Sequence, residues 1–173
     1  MPPKQAETAS PGWPSSVSDA PGALVKVFHQ CDFSGQDWRE RRFSRVIFEQ
    51  VSFQETDLRG AVFDLVVFRR CTFEGARLDG ARLNRISGMY LRADYASFRE
   101  VHARQIHWIG SFREADFTGS QWEQSHFYTS DLRGARGLTW NATGQIHLVH
   151  LDEISRPSVH PSSSQRSLSK PGW

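Results

Sequence analysis

Few side chains in this sequence have the types and spacing that chemistry needs. Two cysteines, Cys31 and Cys71, could in principle cross-link, bind a metal or act as nucleophiles. Two histidines, His107 and His126, each precede a large aromatic residue, with His102 nearby. Paired imidazoles can begin a metal site, but such sites need three or four donors, and no carboxylate is placed to complete this one. His147 and His150 lie among apolar residues and are expected to face solvent from a capping strand. The carboxylates recur beside arginines, as in Asp57/Arg59, Arg77/Asp79 and Asp131/Arg133. Such exposed pairs are solvated and contribute little energy. The chain lacks a glycine-rich phosphate loop, a His-Glu-x-x-His pair and a nucleophile elbow. The expectation is therefore no catalytic residue, no bound cofactor, no metal and no enzyme.

The element that positions these residues is a repeat. Large apolar residues recur every fifth position at Phe33, Trp38, Phe43, Phe48, Phe53, Leu58, Phe63, Phe68, Phe73, Leu78 and Leu83. The register slips back by one near Gly110, after Phe98 and Trp108, and resumes at Phe112, Phe117, Trp122, Phe127 and Leu132. Gly88, Ala93 and Ala103 stand where the pattern asks for a large residue. All 12 Phe, including Phe28, fall on this lattice. A period of five matches neither a helix nor a strand, so the chain must wind as a solenoid. Two positions before each centre the residue is small or apolar, as at Val46, Ala61, Val66 and Ala76. The other three positions are mostly polar, and Gly recurs two after the centre, at Gly35, Gly60, Gly75 and Gly80. Each unit therefore sends two side chains inward and three outward.

Units such as Thr56-Asp57-Leu58-Arg59-Gly60, Ala76-Arg77-Leu78-Asp79-Gly80, Ala115-Asp116-Phe117-Thr118-Gly119 and Ser130-Asp131-Leu132-Arg133-Gly134 carry a resemblance. Over residues 31–135 the chain resembles the pentapeptide-repeat family, whose consensus is Ala-(Asp/Asn)-Leu-X-X. The resemblance implies an all-β fold, a right-handed quadrilateral β-helix in which four units make one square coil. About five coils are expected, with caps drawn from Leu24–Phe28 and Leu138–Leu151. On that fold Cys31 and Cys71 lie two coils apart, with Val51 between them. That is ~9–10 Å by the strand spacing, beyond disulfide reach. Free, buried thiols and a reducing, cytoplasmic setting follow. His107 and His126 become neighbours in one outer column.

The repeat body is expected to span residues 23–155, between disordered tails at 1–22 and 156–173. Both tails are rich in Pro, Ser and Gly and cannot bury enough apolar surface to fold. No stretch reaches the ~20 apolar residues of a membrane span, and no secretory signal pattern opens the chain.

Sorting outward residues by side gives four surfaces. The first, on centres 33, 53, 73, 93, 112 and 132, and the second, on 38, 58, 78, 98 and 117, carry an excess of carboxylates. The third, on 43, 63, 83, 103 and 122, is basic, with Arg42, Arg45, Arg82, Arg85 and Arg104. The fourth, on 48, 68, 88, 108 and 127, is nearly uncharged. It presents Ile47, Val67, Met89, Tyr90, Ile109 and Tyr128 beside Arg69 and Arg70. Apolar residues at outward positions next to arginine suit a protein contact. The expected interaction surface is Ile47, Val67, Arg69, Arg70, Arg82, Arg85, Met89, Tyr90, Ile109 and Tyr128. The function expected is a rigid interaction or scaffold rod, whose partner is a protein or a second copy. The resemblance implies an alternative: a DNA mimic that binds and protects bacterial DNA gyrase, giving quinolone resistance or immunity to a gyrase-directed toxin. Residues 31–135 hold 15 acids and 15 Arg, so the rod is neutral where such mimics are acidic. Direct nucleic-acid binding is not expected, because two acidic sides weaken the field of the arginines.

Overall fold

A computed structural model describes residues 25–138 and the backbone of 145–147. The expected tails at 1–22 and 156–173, Leu24, and most of the C-terminal cap, including His150, lie outside the described residues. Among the described residues there are ten strands: β1 (Lys26–His29), β2 (Arg42–Ser44), β3 (Val46–Glu49), β4 (Val62–Asp64), β5 (Val67–Arg69), β6 (Arg82–Arg92), β7 (His102–Ser111), β8 (Gln121–Glu123), β9 (His126–Tyr128) and β10 (Gln145–His147). Every pairing among them is parallel, and no helix occurs among the described residues.

Strands on the third side stack β2-β4-β6-β7-β8, and those on the fourth stack β1-β3-β5-β6-β7-β9-β10. Residues twenty apart face one another: Phe43 pairs with Phe63, and Phe63 with Leu83. The first two sides are held by single bridges instead, such as Asp32–Ser52–Thr72–Arg92 and Asp37–Asp57–Arg77–Ser97. A corner follows each centre but Trp108 by two residues. It needs a positive φ, which Gly60 (φ 68°) and Gly75 (φ 64°) adopt freely. Fifteen non-glycine residues adopt it too, among them Leu65, Tyr90 and Tyr95. L-residues populate this region sparingly, so the closed ladder must hold them there.

The core is a column of stacked rings. Phe43 lies over Phe63 at 4.7 Å and 13°, Phe53 over Phe73 at 4.8 Å and 10°, and Phe98 over Phe117 at 5.1 Å and 7°. Within a coil the rings meet edge to face, as Phe48 meets Phe53 at 83°. Both geometries suit the aromatic quadrupole. All the expected core centres, including Leu58, Leu78, Leu83 and Leu132, are buried. The polar residues Thr56, Ser120, Ser125 and Ser130 are also buried two before a centre. Each hydroxyl donates to a backbone carbonyl, of Phe33, Phe117, Glu123 and Tyr128 respectively.

The small centres are compensated. Beside Gly88 and Ala93 the positions two earlier are the large Ile86 and Leu91, both buried. A Cβ on Gly88 would come 2.6 Å from both Leu91 Cδ1 and Trp108 Cδ1, so these side chains occupy the space it leaves. A void of only about 10 Å³ remains between Phe63, Phe73, Leu91 and Phe98, lined without polar atoms. The slip near Gly110 is a one-residue register shift between β6 and β7. Met89 pairs with Ile109 but Leu91 with Gly110, so Tyr90 is the surplus residue. Gly110 lies flat against the Leu91 carbonyl, where any Cβ would collide.

Phe63 is 1% exposed. Phe63→Ala should cost about 3–5 kcal/mol in urea denaturation, and a loss below about 1 kcal/mol would count against its role in the ring column. Gly110→Ala should destabilise by at least about 1 kcal/mol, because backbone must move to admit the methyl.

Candidate interaction surface

The expected chemical groups separate into inert and exposed sets. Cys31 and Cys71 are both free thiols on one column, joined through Val51 by the bonds Ser52 N–H to Cys31 carbonyl and Thr72 N–H to Val51 carbonyl. Cys71 is buried, and that burial pushes its thiol up to about 11. Cys31 departs from the expectation of burial: it is half-exposed, because it sits in the first coil at one end of the ladder. His107 and His126 do stack, with ring centroids 5.3 Å apart and planes at 15°, and Tyr128 continues the stack 5.5 Å from His126. Their faces, not their nitrogens, meet. Among the described residues no three His, Cys, Asp or Glu side chains gather into a metal site.

Carboxylates and arginines pair in two ways. In Asp37/Arg39, Asp57/Arg59 and Asp131/Arg133 the two residues flank one centre. The arginine forks onto the carboxylate at 2.6, 2.6 and 2.7 Å and also donates its own N–H. The Arg39 guanidinium holds Asp37 down to about 2. In Arg113/Asp94 (2.5 Å), Arg136/Asp116 (3.0 Å) and Arg92/Glu74 the pair bridges neighbouring coils. Asp94 is 3% exposed. Burial raises its carboxyl, but bonds from Arg113, Ser111 and the Arg113 N–H outweigh that and leave it below the usual 3.8.

These pairs are unevenly distributed. On the first two sides Arg39, Arg59, Arg77, Arg92, Arg113, Arg133 and Arg136 meet a carboxylate, and Arg99 alone has no ion pair among the described residues. On the third and fourth sides only Arg85 does, through Asp64 at 2.8 Å, while Arg41 lies over the Trp38 ring at 5.9 Å. Arg42, Arg45, Arg69, Arg70, Arg82 and Arg104 have no ion-pair partner among the described residues. The sequence shows the excess of arginine there, but not the whole of this division, because the partners of Arg92, Arg113 and Arg136 lie about twenty residues away.

The apolar residues of the fourth side form two adjoining columns. Val27, Ile47 and Val67 stack in register, and Met89 pairs with Ile109. Ile47, Val67, Met89, Ile109 and Tyr128 are half-buried by their column neighbours. Tyr90, on the surplus residue of β6, stands out at 68% exposure, with Tyr95 at 71% on the next corner. Arg69 lies in register with Met89, and Arg70 precedes Tyr90 by one coil in the corner column. Arg82 and Arg85 lie on the third side, where a trough of about 430 Å³ crosses β4, β6, β7 and β8. The surface expected from the sequence thus comprises an apolar fourth side and part of a basic third side, meeting at the corner of Leu65 and Arg85.

The architecture is a four-sided parallel β-solenoid built from five-residue units. Residues 27–64 and 47–85 match the family model for pentapeptide repeats, in eight copies. The match identifies residues 27–85 as pentapeptide repeats. No curated protein matches its sequence. Among solved structures it is similar to a pentapeptide repeat protein of the Arabidopsis thaliana thylakoid lumen, at 20% identity and a TM-score of 0.35 over 65% of this chain and 61% of that one. It thus spans less than two thirds of that protein. It is also similar to full-length QnrB1, a plasmid-mediated fluoroquinolone resistance protein (16%, TM-score 0.37, 73% of this chain and 82% of that one). A third is HetL of Nostoc sp. strain PCC 7120, a pentapeptide repeat protein involved in heterocyst differentiation regulation (15%, TM-score 0.23, 63% and 59%).

Two outcomes follow from this geometry. Asp94 contributes stability that is present above its ordinary value near 3.8 and is lost as pH falls through its lower native value. Asp94→Asn should therefore destabilise by roughly 1.5–3 kcal/mol at pH 7, with the difference from wild type shrinking at pH 3 in urea titrations. In native protein at pH 8, iodoacetamide should label Cys31 faster than Cys71; equal rates would contradict the burial of Cys71.

Proposed function

We propose that this protein is a non-enzymatic interaction module, a rigid rod that presents its third and fourth sides to a protein partner. The observation that carries this reading is the uneven ion pairing. On the first two sides every arginine but Arg99 meets one of the rod's own carboxylates, while on the third and fourth sides only Arg85 does. Arginine and tyrosine next to half-buried aliphatic residues are the groups that anchor protein interfaces. The free thiols support a reducing, cytoplasmic setting.

One observation favours a second reading, the gyrase-protecting DNA mimic. Glu40, Glu55, Glu100 and Glu114 sit at corners of the first two sides, have no ion pair among the described residues, and lean over glycines of the next coil. They form a small acidic surface. The pairing of most other carboxylates on these sides with arginine gives this reading the weaker support. A gyrase supercoiling assay with and without a quinolone separates the two. Protection by the rod would favour mimicry, and no effect would leave the interaction module.

Met89→Asp with Ile109→Asp should leave the circular dichroism spectrum intact and abolish self-association or recovery of a cross-linked partner. Unchanged sedimentation together with unchanged cross-linking would overturn the use of the fourth side.

A further inference from the structure

We propose that the trough on the third side binds an extended acidic polypeptide segment. This deepens the interaction-module reading and rests on it. The trough runs along the rod axis between two rows of outward side chains. One row is Val62, Arg82, His102 and Gln121, and the other is Asp64, Asn84, Arg104 and Glu123. Its floor is the inward-pointing centres Phe63, Leu83 and Ala103. Three rung steps of ~4.8 Å give it a length of ~14 Å, which is four or five residues of extended chain at ~3.3 Å each.

Charge decides what fits. Asp64 is occupied: Asn84 Nδ2 donates to it at 2.5 Å and the Arg85 guanidinium at 2.8 Å. Arg82 and Arg104 face the trough from opposite rows with no ion pair among the described residues, and Arg42 extends the first row one coil further. The open carboxylate on the walls is Glu123, at the end nearer the C-terminus. A segment whose acidic side chains lie beside Arg42, Arg82 and Arg104 complements this, and Asn84, His102 and Gln121 can bond its peptide groups.

A polypeptide suits the walls better than a nucleic acid does. Evenly spaced phosphates would have to pass Asp64 and Glu123, whereas a polypeptide can place a neutral or basic residue there. A second copy of this chain fits less well. The acidic first side lies opposite the third, so joining them would repeat without closing and give open fibres.

Fluorescence anisotropy with fluorescein-labelled octaglutamate tests this, with octalysine and an eight-nucleotide oligo-dT as comparators. Octaglutamate should bind below about 1 mM and weaken with salt. Arg82→Ala with Arg104→Ala should raise its Kd about tenfold, and Glu123→Gln should lower it about threefold. All three positions are exposed, so these variants should fold. No binding at about 1 mM, or equal affinity for wild type and the double arginine variant, overturns the proposal. Tighter, arginine-dependent binding of oligo-dT also overturns it, by making the trough a nucleic-acid site. If octaglutamate fails but Met89→Asp with Ile109→Asp still abolishes association, the trough proposal falls and the interaction module stands.

Discussion

The structure depends on one constraint, the parallel ladder that sets each coil directly on the next. Strands in such a ladder are spaced ~4.8 Å apart, and the stacked Phe43/Phe63 and Phe53/Phe73 rings, 4.7 and 4.8 Å apart, match that spacing. Backbone bonding and ring stacking therefore have the same optimum. Phenylalanine can recur at the centres without strain, and the corners can keep Leu65, Tyr90 or Arg85 at positive φ. The cost of each left-handed residue, on the order of 1 kcal/mol, is carried by the ladder bonds on either side of it.

The same stacking sorts the surface. A side chain on one coil meets the equivalent side chain on the coils above and below. Like residues therefore make columns, as at Ile47 and Val67, and unlike charges make bridges, as at Arg113 and Asp94. Where carboxylates and arginines share a side, many of them pair. Where arginine is in excess, as on the third side, most of it is left without an ion pair among the described residues. The open charge is thus a consequence of composition on one side, and it is rigidly placed, because the strands beneath it are fixed by the core.

Much of this was legible in the sequence. The Phe, Trp and Leu lattice identified the centres, and the slip near Gly110 was visible as a change of phase. The stacking of His107 on His126 followed from counting. Three things were hidden. Ile86, Leu91 and Ile106 carry core packing from positions that usually hold small residues; the small centres at Gly88 and Ala93 were the available signal for the first two. The half-exposure of Cys31 depends on where the ladder begins, which a repeating pattern does not mark. The pairing of Asp94 with Arg113, or Asp116 with Arg136, depends on side-chain reach between coils. The sequence constrains that reach only after the coil length is known.

The surplus Tyr90, just before the Leu91–Gly110 pair, has a consequence for assembly of the rod. A solenoid of identical coils is translationally degenerate: a strand displaced by one whole coil meets the same pattern of inward and outward residues and nearly the same bonds. The coil that closes through Gly110 is one residue shorter, so it is commensurate with its neighbours in only one alignment. Shifted by a coil, Gly110 would leave its seat on the Leu91 carbonyl and a bulkier residue would take its place. The shortened coil therefore acts as a keyed notch, a phase defect that gives an otherwise periodic chain a unique origin.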